Sequence, residues 1–506
     1  MKRILIFCFY DKEGIVDGYV SYLLQQMKKF VDRIIIVSNC ELRAEEKEKF
    51  EPFSSEIIVR ENQGYDAAAW REIMVGYCGW KQLDDYDEVI LMNDTVYGPL
   101  CDLTGVFECE KEYDVWGITS HGGFDDGKVS YPAHIQSYFM VYKKKVVQNQ
   151  AFQAYWESMP VYQDVNELIM KHEVRFTQFL VDQGFSWHVY CDMQKYETNA
   201  DENVIHYFYN QYGLMQEAKC PFAKKKLFVW QREDSLLHGD GGNAKRSYEW
   251  IRENSEYDTS LIVKNLLRTE RWEKVKGALG LQYIVTDLEM KAAERKAALC
   301  ILGNEQAEMQ KYLPLLRELE RDGLPVLIAE SHEHKAICEK IYAEVPESVE
   351  YLCIYQVAKA EKCRFYTSVL DEQRMIWNNM VSNINYVNGI VNLFENDRNL
   401  GALVSSFPFW PDYRLFGDQG MPKVFWIKKE LLKTGIEYSE KKEKFAEFSD
   451  NLARVGYLIG EIQNRKDAEN RLAAYEYMIC NLQEENRIAR NLPLRIKRFV
   501  QAKLLW

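Results

Sequence analysis

Apolar runs alternate with amphipathic stretches from the start of the chain. Ile4 to Tyr10 is unbroken and apolar, as expected of a parallel strand buried on both faces. After a turn at Asp11–Gly14, Tyr19, Tyr22, Leu23, Gln26 and Met27 recur at helical spacing. Arg33–Ser38 (RIIIVS) reads as a second buried strand, Glu41–Lys49 as a charged helix and Glu56–Arg60 as a short third strand. A polar loop, Glu61–Asp66, opens a small-residue helix from Ala67, and Val89–Met92 is the next strand. Strands at Asp114–Ile118, Ser137–Tyr142 and Ser186–Cys191 and a helix over Val165–Gln183 complete a strand–helix alternation. That alternation predicts a doubly wound, mostly parallel α/β sheet with right-handed crossovers.

Polar stretches near 195–245 mark a boundary, and Lys224-Lys225-Lys226 reads as a solvated turn. A second α/β unit begins near Lys296, with strands at Ala298–Leu302, Pro325–Ala329, Val349–Tyr355 and Leu400–Val404. Helices are expected over Met309–Arg321 and Trp377–Phe394. Leu452, Val455, Ile459 and Ile462, then Leu472, Tyr475, Ile479 and Leu482, follow three-four spacing, which predicts a docking helix or a short coiled coil. The expected domains are therefore 1–235, a helical connector over 236–295, a second lobe over 296–438, and a helical segment over 439–506.

The length of 506 residues calls for two or three domains. A net charge of −13 argues against a general nucleic-acid binder. The 12 cysteines form no CxxC pairs, and Cys8, Cys300 and Cys353 sit in apolar runs, which suits reduced, buried thiols rather than a disulfide frame. The first apolar run is at the floor of signal-peptide length and charged residues follow it, so it is expected to be a strand. No apolar run approaches the ~20 residues of a membrane span. The expected location is cytoplasmic, at the inner face of the cell membrane.

Chemistry concentrates where strands stop. Val89–Met92 ends in Asn93-Asp94-Thr95, which delivers an amide, a carboxylate and a hydroxyl to the carboxyl edge of the sheet, where open α/β folds bind ligands. Asp94 can hold Mg2+ or Mn2+ against a leaving diphosphate, or it can cap the next turn with Thr95. Asn62, Gly64 and Asp66 form a loop whose glycine admits a close ligand, although Asp66 also suits the N-cap of the Ala67 helix. Glu173 shares the apolar face of its helix with Phe176, Phe179 and Leu180, so it is either a general base at the sheet edge or a paired surface carboxylate. His121, His134 and His172 are each read as structural when taken singly. Neither GxGxxG, a P-loop, HExxH nor GxSxG occurs.

The pieces FCFYDKEGIVDGYVSYLL, IIIVSN, ENQGYDAAAW, DEVILMNDTVYGPL, DVWGIT, HIQSYFMVYKK and HEVRFTQFLVDQGFSWHVY together resemble the rhamnan synthesis F family, bacterial glycosyltransferase-like proteins of cell-wall and capsule assembly. The resemblance covers about residues 1–235, and WNNMVSNINYVNGIVNLFENDRNLGALVSS with KVFWIKKELL extends it. It implies a GT-A-like fold and inverting transfer of a sugar, rhamnose from dTDP-rhamnose, to a lipid-linked glycan. By position, Tyr10, Ser38, Asn39, Asn62, Gly64, Asp66, Asn93 and Thr95 line the nucleotide-sugar pocket. Asp94 stands as the second acid of a DxD-type metal motif, with Asn93 replacing the first. Glu173 is the base, and His134 and Gln136 contact acceptor or donor sugar. The second lobe carries no NDT equivalent and reads as a degenerate or acceptor-binding lobe, against a second active transferase.

From Arg487 to Trp506 the chain has six basic residues and no acid. Ile496, Phe499, Val500, Leu504, Leu505 and Trp506 suit an interfacial anchor on an anionic membrane, against an exposed end. Two other functions stay open: a non-catalytic glycan-binding or scaffold protein of a polysaccharide assembly complex, and transfer of a sugar phosphate on a similar sheet.

Overall fold

The computed structural model describes residues 1–125, 130–192, 206–229, 243–270, 272–286, 296–302, 313–329, 334–356, 377–405, 424–434, 445–469 and 480. The chain divides into two compact units, Met1–Gly280 and Leu281–Trp506.

The first unit is built on a mixed sheet of strands β1 (Arg3–Phe9), β2 (Arg33–Ser38), β3 (Ile57–Val59) and β4 (Glu88–Asn93), with β6 (Val115–His121), β9 (His134–Ile135), β10 (Phe139–Lys143) and β11 (Trp187–Cys191). Its order is β11-β6-β10-β4-β1-β2-β3, with β9 paired to β6. β1 runs parallel to β2 and β4, whereas β10 runs antiparallel to both β4 and β6. The central strands are apolar on both faces because helices cover both; every residue from Ile4 to Phe9 and from Val89 to Met92 is buried. The expected doubly wound α/β sheet is present, and the reversal at β10 is the feature the apolar run alone did not announce. A run buried on both faces has no polarity to tell parallel from antiparallel pairing.

Short pairs decorate this sheet. β7 (Phe124–Asp125) pairs with β8 (Ser130–Tyr131), and β5 (Val96–Tyr97), directly after the β4 end, pairs antiparallel with β12 (Ala223–Lys224). The β5–β12 pair corrects the reading of Lys224-Lys225-Lys226 as a solvated turn. Only Lys226 is exposed; Phe222 and Ala223 before it and Phe228 after it are buried, and they draw the lysines inward. Three helices, Asn243–Asn254, Ser260–Thr269 and Trp272–Ala278, close the first unit, in the stretch read from sequence as a connector.

The second unit repeats the core of that strand order, with β13 added at one edge and, among the described residues, no counterpart of β3 at the other. Strands β13 (Gln282–Val285), β14 (Ala297–Leu302), β15 (Val326–Ala329), β16 (Tyr351–Gln356), β17 (Leu400–Ser405), β18 (Val424–Lys428) and β19 (Leu458–Asn464) lie in the order β13-β19-β17-β18-β16-β14-β15. β18 is antiparallel between β16 and β17, as β10 is between β4 and β6. β19 corrects the helical stripe expected over 452–462. The helix Phe445–Arg454 stops at Gly456, whose φ of +85° suits glycine, and Leu458–Asn464 then pairs with β17 and β13. The rest of that stripe and the basic tail lie outside the described residues. Among those residues no helix is long and apolar enough to cross a membrane.

Candidate active site

The carboxyl ends of β1 to β4 and the loop after β3 meet at one edge. Asn93, the last residue of β4, donates its amide to Asp66 Oδ2 at 2.8 Å, and its Oδ1 accepts from Thr95 Oγ1 at 2.7 Å. The ENQGYD loop and the NDT strand end, 27 residues apart, are thus one constellation. Asn39, past the β2 end, donates to Asn62 Oδ1 at 3.2 Å and to the Tyr65 carbonyl at 3.0 Å. Arg60 binds Asn39 Oδ1 at 2.7 Å and the Gln63 carbonyl at 2.8 Å, and so holds the loop from beneath. Gly64 has φ +76°, and a Cβ there would meet the Ala68 Cβ at 2.6 Å, so the turn into the Tyr65–Arg71 helix requires glycine. Ser38 turns its hydroxyl to the Cys40 carbonyl, and Tyr10 is 46% exposed beside the edge.

Asp94 is almost fully buried. Its Oδ2 accepts from the Tyr19 hydroxyl at 2.9 Å and from Lys225 Nζ at 3.3 Å, and the same ammonium donates to Tyr19 Oη at 2.6 Å. The residues present do not fit a divalent cation at Asp94. Its Oδ2 already faces an ammonium, Asn93 offers a neutral amide engaged at both ends, and among the described residues no three His, Cys, Asp or Glu side chains gather into a metal-binding set. No step is therefore routed through a metal. The Mg2+ or Mn2+ expected from the sequence finds no ligand set among the described residues, and the Asp94 oxygen that would face it lies against Lys225, which the apparent turn concealed.

Glu173 approaches from the other side. The helical stretch expected over Val165–Gln183 is interrupted by a π-helical turn, Ile169–Glu173, and Glu173 ends that turn. π-turns inside helices re-aim side chains and recur at functional sites. Ser137, just before β10, donates its hydroxyl to Glu173 Oε2 at 3.0 Å and its N–H to Oε1 at 3.4 Å. Beside it, Gln136 accepts from Thr119 Oγ1 at 2.6 Å. The His134 Nδ1 lies 3.0 Å from the Pro132 carbonyl, and its ring stacks on His121 at 5.3 Å. Burial holds His134 below its usual pKa.

The two halves of the site sense each other. Burial, assisted by the charge of Glu173, pushes the Asp66 carboxyl up from 3.8 to about 6. Lys224, its ammonium 3.9 Å from the centre of the Tyr138 ring, is pushed down to about 8 by burial, against the pull of Glu173 and Asp66. Asp66, Glu173 and Lys224 therefore share one electrostatic environment, joined to Asp94 through Asn93 and Lys225.

The Asp66 shift has a sign that can be checked. Its folded pKa lies above its unfolded one, so the folded protein binds this proton more tightly. The carboxylate costs stability at full strength above about pH 6, and the cost fades as pH falls towards 3.8. Relative to Asp66→Asn, the wild-type chain should gain about 1.4 kcal/mol between pH 7 and pH 5, measured by urea unfolding at each pH.

Sequence reasoning missed Tyr19, Arg60, Ser137 and the two lysines. Lysines flanked by Pro221-Phe222-Ala223 and Leu227-Phe228 were the signal: a charged run inside an apolar stretch is held by something.

A family model described as rhamnan synthesis protein F matches residues 34–366, more than half of the chain. The chain belongs to the rhamnan synthesis protein F family. Within reach of this family member is an uncharacterized protein, y4gN, of Sinorhizobium fredii (strain NBRC 101917 / NGR234), 28% identical over 186 residues. That match spans 36% of the chain and 46% of y4gN, less than half the relative's length. Among solved structures, apo glycosyltransferase GlyE of Streptococcus pneumoniae TIGR4 is 12% identical with a TM-score of 0.26, covering 74% of this chain and 97% of that one. The bifunctional glycosyltransferase WbbM is 12% identical with a TM-score of 0.21, covering 31% and 34%. The 4-diphosphocytidyl-2C-methyl-D-erythritol synthase of Anaerococcus prevotii DSM 20548 is 16% identical with a TM-score of 0.24, covering 37% and 88%. Overlaps of this size decide nothing about the reaction.

Proposed function

We propose that this rhamnan synthesis F protein is an inverting glycosyltransferase that moves rhamnose from dTDP-rhamnose to a lipid-linked cell-wall or capsule glycan. The observation that carries the reading is the 2.8 Å bond between Asn93 and Asp66, which joins the glycine loop to the β4 end on the ligand-binding edge of the sheet. Asn39, Asn62, Gly64, Asp66, Asn93 and Thr95 form the donor side, with Ser38 and Tyr10 at its margin. Glu173, oriented by Ser137, is the base, and His134 and Gln136 lie on the acceptor side.

In the proposed step Glu173 takes the proton of the acceptor hydroxyl as that oxygen bonds to the anomeric carbon. The bond from that carbon to the diphosphate oxygen breaks, and its electron pair leaves with dTDP. One displacement inverts the anomeric centre. The second unit reads as a degenerate or acceptor-binding lobe. Where β4 hands on Asn93-Asp94-Thr95, β16 ends at Gln356 and the sequence continues Val357-Ala358. Contact with an anionic membrane, through the basic tail, belongs to the same reading.

The test is direct. A panel of nucleotide sugars is screened by thermal shift, and the one that stabilises the full chain is incubated with lipid-linked acceptor. Release of dTDP from dTDP-rhamnose supports the proposal. No shift and no release with any donor favours the scaffold reading instead.

A further inference from the structure

The donor edge carries the carboxylates Asp66 and Asp94 and is within the charge of a third, Glu173, so a diphosphate brought there would be repelled by all of them. Two cations stand among them. Lys224 is the last residue of β12, opposite Val96, and the Lys225 N–H donates to the Thr95 carbonyl at 3.0 Å, so backbone pairing fixes both lysines beside the β4 end. Lys225 has three N–H donors, two of them spent on Tyr19 Oη and Asp94 Oδ2, with no third acceptor among the described residues. Its side chain is 26% exposed. Asp94 and Tyr19 thus hold the ammonium in place and leave one donor for a ligand. Lys224 lies over the Tyr138 ring, next to the residue that orients Glu173.

We infer that Lys224 and Lys225 are the cations that hold the diphosphate of the donor at the carboxyl end of β4. The inference rests on the transferase reading but assigns a binding role that neither motif nor family match supplies. An ammonium is suited to this task as a compact charge with rotatable donors, and bonds from it to phosphate oxygens are charge-assisted. Asp94 is then a positioning residue: it keeps Lys225 ordered and pre-aimed before the nucleotide arrives. The charge that builds on the departing diphosphate is met by the same two groups. Among the described residues, Glu173, Lys226, Asp66 and Cys220 act on Lys224, together with the Tyr138 ring. An incoming diphosphate adds negative charge to that set and favours the protonated lysine.

The experiment is calorimetric titration of dTDP into the full-length protein, once with Mg2+ and once with EDTA. Lys224→Gln and Lys225→Gln should each weaken binding about tenfold or more in both buffers, and Lys225→Arg should retain most of the affinity. Thermal denaturation of each variant shows whether it is folded. Wild-type affinity should fall as pH rises from 7 to 9, and Lys224→Gln should flatten that slope. Folded variants that bind dTDP within twofold of wild type overturn the inference and leave the transferase reading intact. A wild-type chain that binds no dTDP in either buffer removes both.

Discussion

Glu173→Gln should lower the turnover of dTDP-rhamnose by about 10²- to 10⁴-fold, the range of a lost general base. The Michaelis constant for the donor should stay close to wild type, because the proposed donor side, linked through Asn39, Asn62, Asp66 and Asn93, does not include Glu173. The fold should survive. Glutamine keeps a carbonyl oxygen to accept from the Ser137 hydroxyl, the 3.0 Å bond that orients the side chain. What it lacks is the capacity to take a proton. Steady-state release of dTDP with varied donor separates the two parameters. A Glu173→Gln enzyme with wild-type turnover means that the base lies elsewhere on the edge.

The second large effect is on stability. Trp156, on the Gln150–Ser158 helix, is fully buried. Its ring meets His172 edge-on at 5.2 Å and Phe176 at 5.4 Å, and these are the residues that flank Glu173 on its helix. Tyr155 extends the cluster: its hydroxyl is 2.9 Å from His172 Nδ1, and its ring is 4.6 Å from Phe176. Burial depresses His172 to about 4, so it stays neutral and packs as an aromatic ring. Trp156→Ala should cost about 3–5 kcal/mol, the transfer term plus the cavity left in a dense cluster. It should also loosen the Glu173 helix, so turnover at a temperature where the variant is still folded should drop as well. Guanidinium unfolding and an activity assay on the same preparation check both. A loss below 1 kcal/mol would show that this cluster does not hold the helix.

Much of this architecture was legible in residue patterns. Unbroken apolar runs such as Ile4–Phe9 and Ile34–Val37 placed the central strands, because a strand covered on both faces has few polar positions to confuse it. The abrupt polarity after Met92 marked the candidate site, because a buried run ends where solvent or ligand begins. Position along the chain could not show that Asp66 bonds Asn93, yet both had been assigned to one pocket by resemblance. Other features depend on contacts that no local pattern encodes. Lys225 is drawn to Asp94 by β12 pairing with a strand more than a hundred residues away. The π-turn before Glu173 leaves the three-four spacing of its helix almost intact. β19 carries apolar residues at spacings that suit a helix and a strand alike, and only pairing with β17 decides between them.

The central claim is that the nucleotide sugar binds where the 61–66 loop meets the β4 end. A crystal structure of the full chain soaked with dTDP tests it most directly. The account predicts the diphosphate within hydrogen-bond reach of Lys225 and of the Asn93–Thr95 strand end, with Glu173 across the cleft. A nucleotide bound away from that edge, or an edge packed shut against it, would contradict the account.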